Sequence, residues 1–228
     1  MIRDELAYHR LELAIARDPS DPRWVMPRIK NKHGRILDVG CGAGQTLIAS
    51  ELPADVLAIG VDVDQSALAL GRQLSRAIHF VCGKGEALPF ESAAFDLVVC
   101  RIALPYMHFS TAISEMARVL RPGGDVWLVL HPFRLALKEL RTSLARGQVK
   151  SVLYRLWVGM NGVTLHASGK QWSWPSNPKR YESWQTNRSV KRALEAAGFD
   201  QILINRETHF VVSATKKRDI DPKEPRRG

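Results

Sequence analysis

Five short apolar runs, separated by helical stretches, constrain the fold of this chain more than any other feature. The runs have the length of β-strands, and most are rich in valine and isoleucine, as buried parallel strands are. They are Arg35–Val39, Val56–Val61, Ile78–Cys82, Leu97–Arg101 and Asp125–His131. Between them, 44–51, 65–76 and 111–120 have helical patterning. This alternation predicts an α/β fold, a doubly wound parallel sheet with helices on both faces.

Two further strand-like runs follow a short predicted helix near the C-terminus. The helix covers 191–198 and is closed by Gly198, and the runs are Gln201–Asn205 and His209–Thr215. As an antiparallel pair, they would complete a mixed, mostly parallel sheet of seven strands.

The two ends of the chain carry their own predictions. Residues 2–17 are patterned as a helix, which Asp18–Pro22 ends because proline cannot continue a helix. Residues 1–30 are therefore expected to form an N-terminal helix and the segment that enters the sheet. The charged, proline-containing tail at 216–228 is expected to be disordered.

The composition is that of a globular protein, with 45% hydrophobic and 25% charged residues among the 228. No run of about 18 or more apolar residues occurs, which excludes a membrane-spanning helix, and the start lacks the apolar segment of a secretory signal. Cys41, Cys82 and Cys100 show neither C-x-x-C spacing nor a histidine at metal-ligand spacing. We expect reduced thiols packed as small apolar residues, no metal site and a cytoplasmic protein.

The excess of positive over negative charge is confined to the C-terminal part of the chain. The formal net charge is +10, yet residues 1–130 hold 14 Lys and Arg against 15 Asp and Glu. Residues 131–228 hold 19 against 8, and 131–180 alone hold nine against one. This asymmetry suggests two tasks on one chain, with an anionic or interfacial partner for the basic part.

The basic part contains an insertion, 131–185, that is too long for a plain connection between a strand and a helix. Two amphipathic helices are predicted in it, and four of the six tryptophans lie within 157–184. The apolar stripe of the first helix consists of Phe133, Leu137, Leu140 and Leu144. That of the second consists of Val149, Val152, Leu153, Leu156 and Met160. Because the insertion follows the fifth strand at the ligand edge of the sheet, we expect a helical lid. Core packing of these stripes is an equally weighted interpretation.

A glycine loop links the first predicted strand to a helix. The segment is Ile36-Leu37-Asp38-Val39-Gly40-Cys41-Gly42-Ala43-Gly44-Gln45. Glycines let the backbone approach a ligand closely, and free N–H groups at the helix start favour an electron-rich ligand group. The segment lacks the third glycine of the dinucleotide-binding pattern and the lysine of a P-loop, whereas Asp38 stands two residues before its first glycine.

Two carboxylates follow the second predicted strand. Asp62 comes 18 residues after Gly44 and can accept both hydroxyls of a ribose laid across the strand ends. Asp64 is better placed to cap the next helix.

Four segments in order carry a family resemblance. After the glycine loop and the Asp62 strand end come Gly83–Phe90, followed by Phe95–Val99, and then Arg118–Gly124. Together they resemble the class I S-adenosylmethionine-dependent methyltransferases, in the branch often called type 11. The resemblance covers about 35–130 and the last helix and strands. It implies a single methyltransferase domain with a Rossmann-like seven-stranded sheet and S-adenosylmethionine as methyl donor.

The resemblance also implies roles for individual residues of the cofactor site. The ribose role passes to Asp62, an adenine-stacking contact to Val63, and adenine-edge contacts to Gly85 and its neighbours, while Cys100-Arg101 would face the methionine part. With the glycine loop, the expected cofactor-binding residues are Asp38, Gly40, Cys41, Gly42, Gly44, Asp62, Val63, Gly85, Glu86, Cys100 and Arg101.

One position departs from the family pattern. Relatives usually have an acidic residue where Lys84 stands, and lysine cannot accept a hydrogen bond from the adenine amino group. Either Glu86 takes over this role, or the backbone alone reads the adenine edge, or Lys84 simply points into solvent.

Methyl transfer to oxygen or nitrogen can require a general base. The candidates near the carboxyl ends of the strands are His131, Tyr106 and His108, with His131 first because it directly follows the fifth strand. A histidine that only bonds to backbone at the strand end is the structural alternative.

Three functions fit these observations. The first is methylation of a small, apolar or lipid-like acceptor, with the basic insertion touching a membrane surface. The second is methylation of RNA, with the insertion holding phosphates, although nucleic acid is the less favoured partner. The third is a non-catalytic cofactor-binding protein. The sequence does not indicate the acceptor atom or the oligomeric state.

Overall fold

The computed structural model describes residues 2–178 and 180–218, and it contains a seven-stranded sheet. The strands are β1 (Arg35–Val39), β2 (Leu57–Asp62), β3 (Ile78–Cys82), β4 (Phe95–Arg101), β5 (Leu120–Leu130), β6 (Phe199–Asn205) and β7 (Phe210–Lys216). Their order is β3-β2-β1-β4-β5-β7-β6. Strands β1 to β5 are parallel, and β7 pairs antiparallel with both β5 and β6. The predicted α/β, mostly parallel sheet is confirmed.

Helices flank this sheet. They are α1 (Ile2–Arg17), α2 (Gln45–Ala49), α3 (Gln65–Leu74), α4 (Phe109–Val119), α5 (Phe133–Ala145), α6 (Val149–Ser168) and α7 (Asn187–Ala196), with a 3₁₀ turn at Leu104–Tyr106. Within the described residues, no helix is long and apolar enough to cross a membrane.

Two apolar clusters form the core, one on each face of the sheet. Along β4, Val98 and Cys100 belong to the cluster that includes residues of α4 and α7. The intervening Leu97 and Val99 belong to the cluster on the other face, with Leu47 of α2 among others. Side chains of a strand alternate between faces, so a strand whose residues are all apolar must be covered on both sides. The predicted doubly wound arrangement follows from this pattern.

Several element boundaries differ from the prediction for local reasons. Helix α7 begins at Asn187 because Thr186 and Ser189 form a capping box there. Strand β5 begins at Leu120, so the turn predicted at Arg121–Gly124 is an irregular part of that strand. The backbone of Gly123 has φ +76°, and the β4–β5 register shifts beside it, as at a bulge.

The two helices predicted in the insertion are present as α5 and α6, joined by a short turn. The tail prediction is wrong at its first residue, since Lys216 pairs with Phe199 at the end of β7. Residues 219–228 of that tail lie outside the described residues.

Candidate functional site

The order of the strands fixes where a ligand can bind. Strands β1 and β4 are neighbours whose connections leave in opposite directions, and ligands of open α/β sheets bind at the carboxyl ends of such strands. The register places Asp38 beside Val99 and Val39 beside Val61. Gly40, Asp62 and Arg101 therefore come level with one another at this edge.

A cavity of about 780 Å³ opens at this edge. Its size is within the range of small-molecule binding sites. The lining residues are Gly40, Asp62, Val63, Gly83, Lys84, Gly85, Glu86, Ala103, Tyr106, Met107, His108, Thr111, Pro178 and Tyr181. The structure thus brings the predicted ribose and adenine residues together with Tyr106 and His108.

Gly40 needs to be glycine for two reasons. Its φ is +72°, and a Cβ built on it would lie 2.2 Å from the Cβ of Ala103. Gly44 is the N-cap of α2 with φ +79°, and a Cβ there would lie 2.7 Å from the ring of Phe80. The two glycines therefore let the loop after β1 pack tightly against its neighbours, which leaves space for a ligand at the end of the strand.

The carboxylate of Asp62 is held in place by backbone donors. Its Oδ2 accepts from the N–H of Gly42 at 2.8 Å, and its Oδ1 accepts from the N–H of Asp64 at 2.9 Å. Each oxygen keeps a further lone pair, so the carboxylate can also accept from ribose hydroxyls. The adjacent Val63 is 63% exposed and presents an apolar surface to the cavity.

Asp64 caps α3, as predicted. Its Oδ1 accepts from the N–H groups of Ser66 and Ala67 at 2.8 and 3.2 Å.

The loop after β3 forms the other wall of the cavity. Gly85 is buried, and a Cβ built on it would lie 2.5 Å from the sulfur of Met107. Glu86 Oε1 accepts from the N–H of His108 at 2.9 Å, which ties this loop to the start of α4. Lys84 also lines the cavity, so a lysine does stand beside the expected adenine position.

A second, smaller crevice of about 80 Å³ continues the site past Gly40, where α1 covers it. Arg101 Nε donates to Thr46 Oγ1 at 3.1 Å, and its Nη2 forms an ion pair with Glu12 of α1 at 3.4 Å. Gln45 Nε2 lies 2.9 Å from His9 Nδ1. These contacts between α1 and the loop were not predicted, because side-chain pairing across 36 residues or more leaves no periodic signal in the sequence.

The side chain of Asp38, at the end of β1, is buried and lacks hydrogen bonds. Both of its carboxylate oxygens are buried without a hydrogen-bond partner. Burial raises the pKa of Asp38 to about 7; Arg101 and the nearby Thr46 hydroxyl, which lies outside full bonding geometry, oppose the shift, and Asp62 reinforces it. An orphaned carboxylate beside a glycine loop fits a cationic ligand such as S-adenosylmethionine, which carries an ammonium and a sulfonium.

The cysteines at the site do not present a reactive thiol. Cys41 and Cys100 are buried, and burial raises the pKa of both thiols well above its usual value. Any contribution of theirs to a ligand would therefore come through the backbone. Cys82 is exposed, so the expectation of core packing is wrong for this residue.

The catalytic candidates are divided between two places. Tyr106 lines the main cavity, and its ring meets the His131 ring edge to face at 5.3 Å. His131 lies behind it in a narrow crevice, and its backbone N–H and C=O both bond to Gln185, at 3.2 and 3.1 Å. His108 lines the cavity, with Nδ1 2.7 Å from Thr111 Oγ1 and its ring against Tyr181 at 5.0 Å.

Tyr106 and His131 differ in their protonation at neutral pH, because their pKa values shift in opposite directions. Desolvation, reinforced by the carboxylates of Glu182 and Glu139, raises the pKa of Tyr106 to about 12. Burial lowers the pKa of His131 below its ordinary value of 6.5. At neutral pH, His131 is therefore a neutral imidazole able to accept a proton, whereas Tyr106 keeps its own.

The tryptophans of the insertion lie away from the lining of the main cavity. Trp184 is buried against Phe133, and Trp157 and Trp174 pack against Tyr154, Trp174 edge to face. Trp172 is 51% exposed. Aromatic lining is instead provided by Tyr106, His108 and Tyr181; Tyr181 was missed because it lies in a segment without helix or strand periodicity.

The described parts of the segment after α6, 170–178 and 180–186, are held by buried amides. Gln171 Oε1 accepts from the N–H of Phe109 at 2.6 Å, and its Nε2 donates to Ser183 Oγ at 2.7 Å. Asn161 of α6 donates to the carbonyls of Trp172 and Glu182 at 3.1 and 2.9 Å. These hydrogen bonds fix this part of the insertion in place as one wall of the cavity.

Known proteins resemble this chain in both sequence and fold. A family model described as a methyltransferase domain matches residues 36–124. An uncharacterized methyltransferase of Bacillus subtilis, YcgJ, is 30% identical over 199 residues, which are 81% of this chain and 74% of that protein. A ubiquinone/menaquinone biosynthesis C-methyltransferase of Geobacter sulfurreducens is 34% identical over 117 residues, 46% of each chain. The structure of an S-adenosylmethionine-dependent methyltransferase from Methanosarcina mazei superposes with a TM-score of 0.57 at 21% identity, covering 84% of this chain and 95% of that one.

Proposed function

Because the chain belongs to the class I S-adenosylmethionine-dependent methyltransferases, we propose that it methylates a small, apolar acceptor bound in the 780 Å³ cavity. The lining of the cavity is the observation that supports this class of acceptor. The cavity joins a polar end at Asp62 and Gly85 to a wall of Tyr106, Met107 and Tyr181. The Geobacter relative is a C-methyltransferase named for ubiquinone and menaquinone biosynthesis, and an acceptor of that apolar class would suit this wall.

The cofactor is assigned to the residues that fit it. Asp62 would accept from the ribose hydroxyls, Val63 would cover one adenine face, and the backbone around Gly85 would contact the adenine edge. Asp38 and the crevice beside Arg101 would hold the amino-acid end, where an ammonium would satisfy the orphaned carboxylate. When bound, S-adenosylmethionine supplies a methyl group activated by its sulfonium.

The chain's contribution to transfer is alignment and, for an oxygen or nitrogen acceptor, proton removal. Tyr106 and Met107 hold the acceptor beside Gly40, and holding two reactants in line lowers the barrier by several kcal/mol. We assign the base to His131, which is neutral at pH 7 and whose ring packs against Tyr106. Because His131 lies outside the cavity lining, the acceptor's proton would reach it by way of the Tyr106 hydroxyl, which gives up its own proton to His131 as it takes the acceptor's. Tyr106 is assigned to orienting the acceptor, since a pKa of about 12 keeps its hydroxyl protonated.

The test is a methyl-transfer screen with labelled S-adenosylmethionine against pools of quinone-like phenols, lipids and RNA. Label in an apolar small molecule, lost in the Asp62→Ala variant, supports the proposal. With an oxygen acceptor, His131→Gln should lower kcat by about 10²- to 10⁴-fold while leaving cofactor affinity unchanged. Absence of label from every small-molecule pool, despite cofactor binding in calorimetry, would contradict it.

RNA is the second candidate acceptor, and a basic groove favours it. The groove, about 620 Å³, lies between α5 and α6. Its lining includes Lys138, Arg146, Lys150, Arg155 and Arg180. Label in RNA, with an affinity that falls steeply with salt, would select this candidate. A non-catalytic role, the third candidate, would be indicated by cofactor binding without transfer in any pool.

We also place the protein in the cytoplasm. Its three cysteines are free, which suits a reducing compartment.

A further inference from the structure

One face of α6 is apolar and exposed along its length. Its residues are Val149, Leu153, Leu156, Met160 and Val163, between 51% and 69% exposed. Their spacing alternates between four and three residues, which places them in one line on a helix. We call this line the outer face of α6.

The opposite face of α6 is firmly attached to the rest of the protein. Trp157, Val158 and Leu165 are buried there, and Asn161 is buried with its amide bonded to two backbone carbonyls. Gly162 lets Trp184 pack directly against the helix. The opposite face therefore attaches the helix to the protein, and the outer face is not needed for that attachment.

Exposure of this kind is unusual for a surface with no partner. Isolated apolar residues are common on protein surfaces, but contiguous apolar patches mark interaction sites. Leu144, at the end of α5 just before the turn into α6, is also 57% exposed.

The net positive charge of α5, α6 and the turn between them indicates which kind of partner this face would bind. Helix α6 contains no acidic residue, and the one glutamate of 131–180, Glu139, is paired with Arg155 at 2.9 Å. The exposed cations of α5, α6 and the turn between them are Arg134, Lys138, Arg141, Arg146 and Lys150, and Lys138, Arg146 and Lys150 line the groove between the two helices. A second copy of the chain would bring the same positive charge against itself, whereas an anionic lipid surface would attract it.

We propose that the outer face of α6 binds an anionic membrane surface, with the helix lying in the plane of the interface. The apolar line would enter the boundary between headgroups and acyl chains, and the exposed lysines and arginines of α5, α6 and the turn between them would attract the anionic headgroups. The stretch from Leu156 to Gly169 contains no charged residue, which suits shallow insertion of the C-terminal half of the helix.

Co-sedimentation with vesicles tests the proposal on the full chain. Wild-type protein should sediment with vesicles of mixed phosphatidylcholine and phosphatidylglycerol, less with phosphatidylcholine alone, and less as salt rises. The double variant Leu153→Gln, Leu156→Gln should bind the mixed vesicles at least about tenfold more weakly, because two inserted apolar side chains are lost. A matched control, Leu74→Gln with Leu203→Gln, removes exposed leucines elsewhere and should bind like the wild type.

Charge is tested separately with Arg141→Gln and Lys150→Gln together, which should weaken binding only to the anionic vesicles. Calorimetric binding of S-adenosylmethionine by each variant checks that it is folded. The proposal is overturned if the wild type does not sediment with anionic vesicles at low salt, or if both leucine pairs lose binding equally. It is also overturned if sedimentation velocity without lipid shows a dimer that the Leu153, Leu156 double variant breaks, since a second copy would then cover the face.

Discussion

The carboxylate of Asp38 lies in a setting that favours its protonated form. It is buried at the end of β1, has no hydrogen-bond partner, and its pKa is raised to about 7 from 3.8. A raised carboxyl pKa lowers stability as pH rises from the unfolded value toward the folded one. The free protein therefore carries a cost at Asp38 at neutral pH and above, which a cationic ligand would relieve.

This cost predicts a pH-dependent effect of Asp38→Asn. At pH 8 without cofactor, the variant should be more stable by about 1–3 kcal/mol, because it removes a buried charge but leaves an unpaired amide. At pH 4, where Asp38 is protonated, the gain should vanish or reverse. Urea denaturation at both pH values measures this, and calorimetry should show weaker cofactor binding. Equal stability of the two proteins at pH 8 would contradict the argument.

Asp62 and Asp64 are two residues apart and do different work. Asp62→Ala should raise the Kd for S-adenosylmethionine by about 10- to 100-fold, since it removes acceptors for the ribose and releases the N–H of Gly42. Asp64→Ala should instead cost about 1 kcal/mol of stability through loss of the α3 cap and leave the Kd unchanged. Calorimetry and thermal unfolding of both variants distinguish the roles. A reversed pattern would mean that Asp64 contacts the ligand.

At the scale of the element, α6 illustrates how one helix can satisfy two environments. Its buried side includes Trp157, Asn161, Gly162 and Leu165, and its outer face is apolar as well. Apolar periodicity identified the helix, but a segment that is apolar on both sides gives no signal for which side packs inward. Both predicted helices are present, but α6 is apolar on two sides, and most of the stripe predicted on it is exposed, so the interpretation of that stripe as core is wrong.

Two glycines of α6 provide a matched pair. A Cβ on Gly162 would lie 2.3 Å from Trp184 Nε1, whereas a Cβ on Gly159 would meet nothing within 4 Å. Gly162→Ala should therefore destabilise the protein by about 1–3 kcal/mol through overpacking. Gly159→Ala should stabilise it by about 0.5–1 kcal/mol, because alanine favours the helix and restricts the unfolded chain. Thermal unfolding measures both, and changes of the same sign would refute this view of the packing.

At the scale of the whole molecule, Asp125 joins three distant parts of the chain. It lies within 3.0 Å of Lys30, Lys32 and His33 before β1, and it accepts from Thr215 of β7 at 2.9 Å. Burial acts to raise the pKa of Asp125, but the bonds from these lysines, His33 and Thr215 outweigh it and hold the pKa well below its usual range.

A lowered carboxyl pKa contributes stability above the unfolded value, and this contribution is lost as pH falls through the folded value. Asp125→Asn should therefore lower the free energy of unfolding by about 1–3 kcal/mol at pH 7. The difference from wild type should shrink steadily below about pH 4, the unfolded pKa of aspartate. Urea titrations over this range are the measurement; a difference that grows in acid would exclude the ionic origin.

Much of the sheet could be predicted, and so could the meeting of Gly40, Asp62 and Gly85 at one cavity, because both depend on local sequence. Strand ends set the positions of Gly40, Asp62 and Gly85, and a run of apolar residues marks each strand. Contacts made across the fold left no such trace. The cover that α1 forms through Glu12 and the place of Tyr181 in the cavity wall both depend on tertiary packing.

The first helix and the last strand of the sheet, α1 and β7, run to opposite edges of the sheet. Helix α1 reaches the carboxyl edge, where Tyr8, His9 and Glu12 line the smaller crevice. Strand β7 runs the other way, with Thr215 beside Asp125 at the amino edge. The last residues of β7 therefore lie at the edge of the sheet away from the cavity and the crevice, where a fluorophore attached to the strand end would keep clear of both. The same label on α1 would lie on the very helix that covers the crevice.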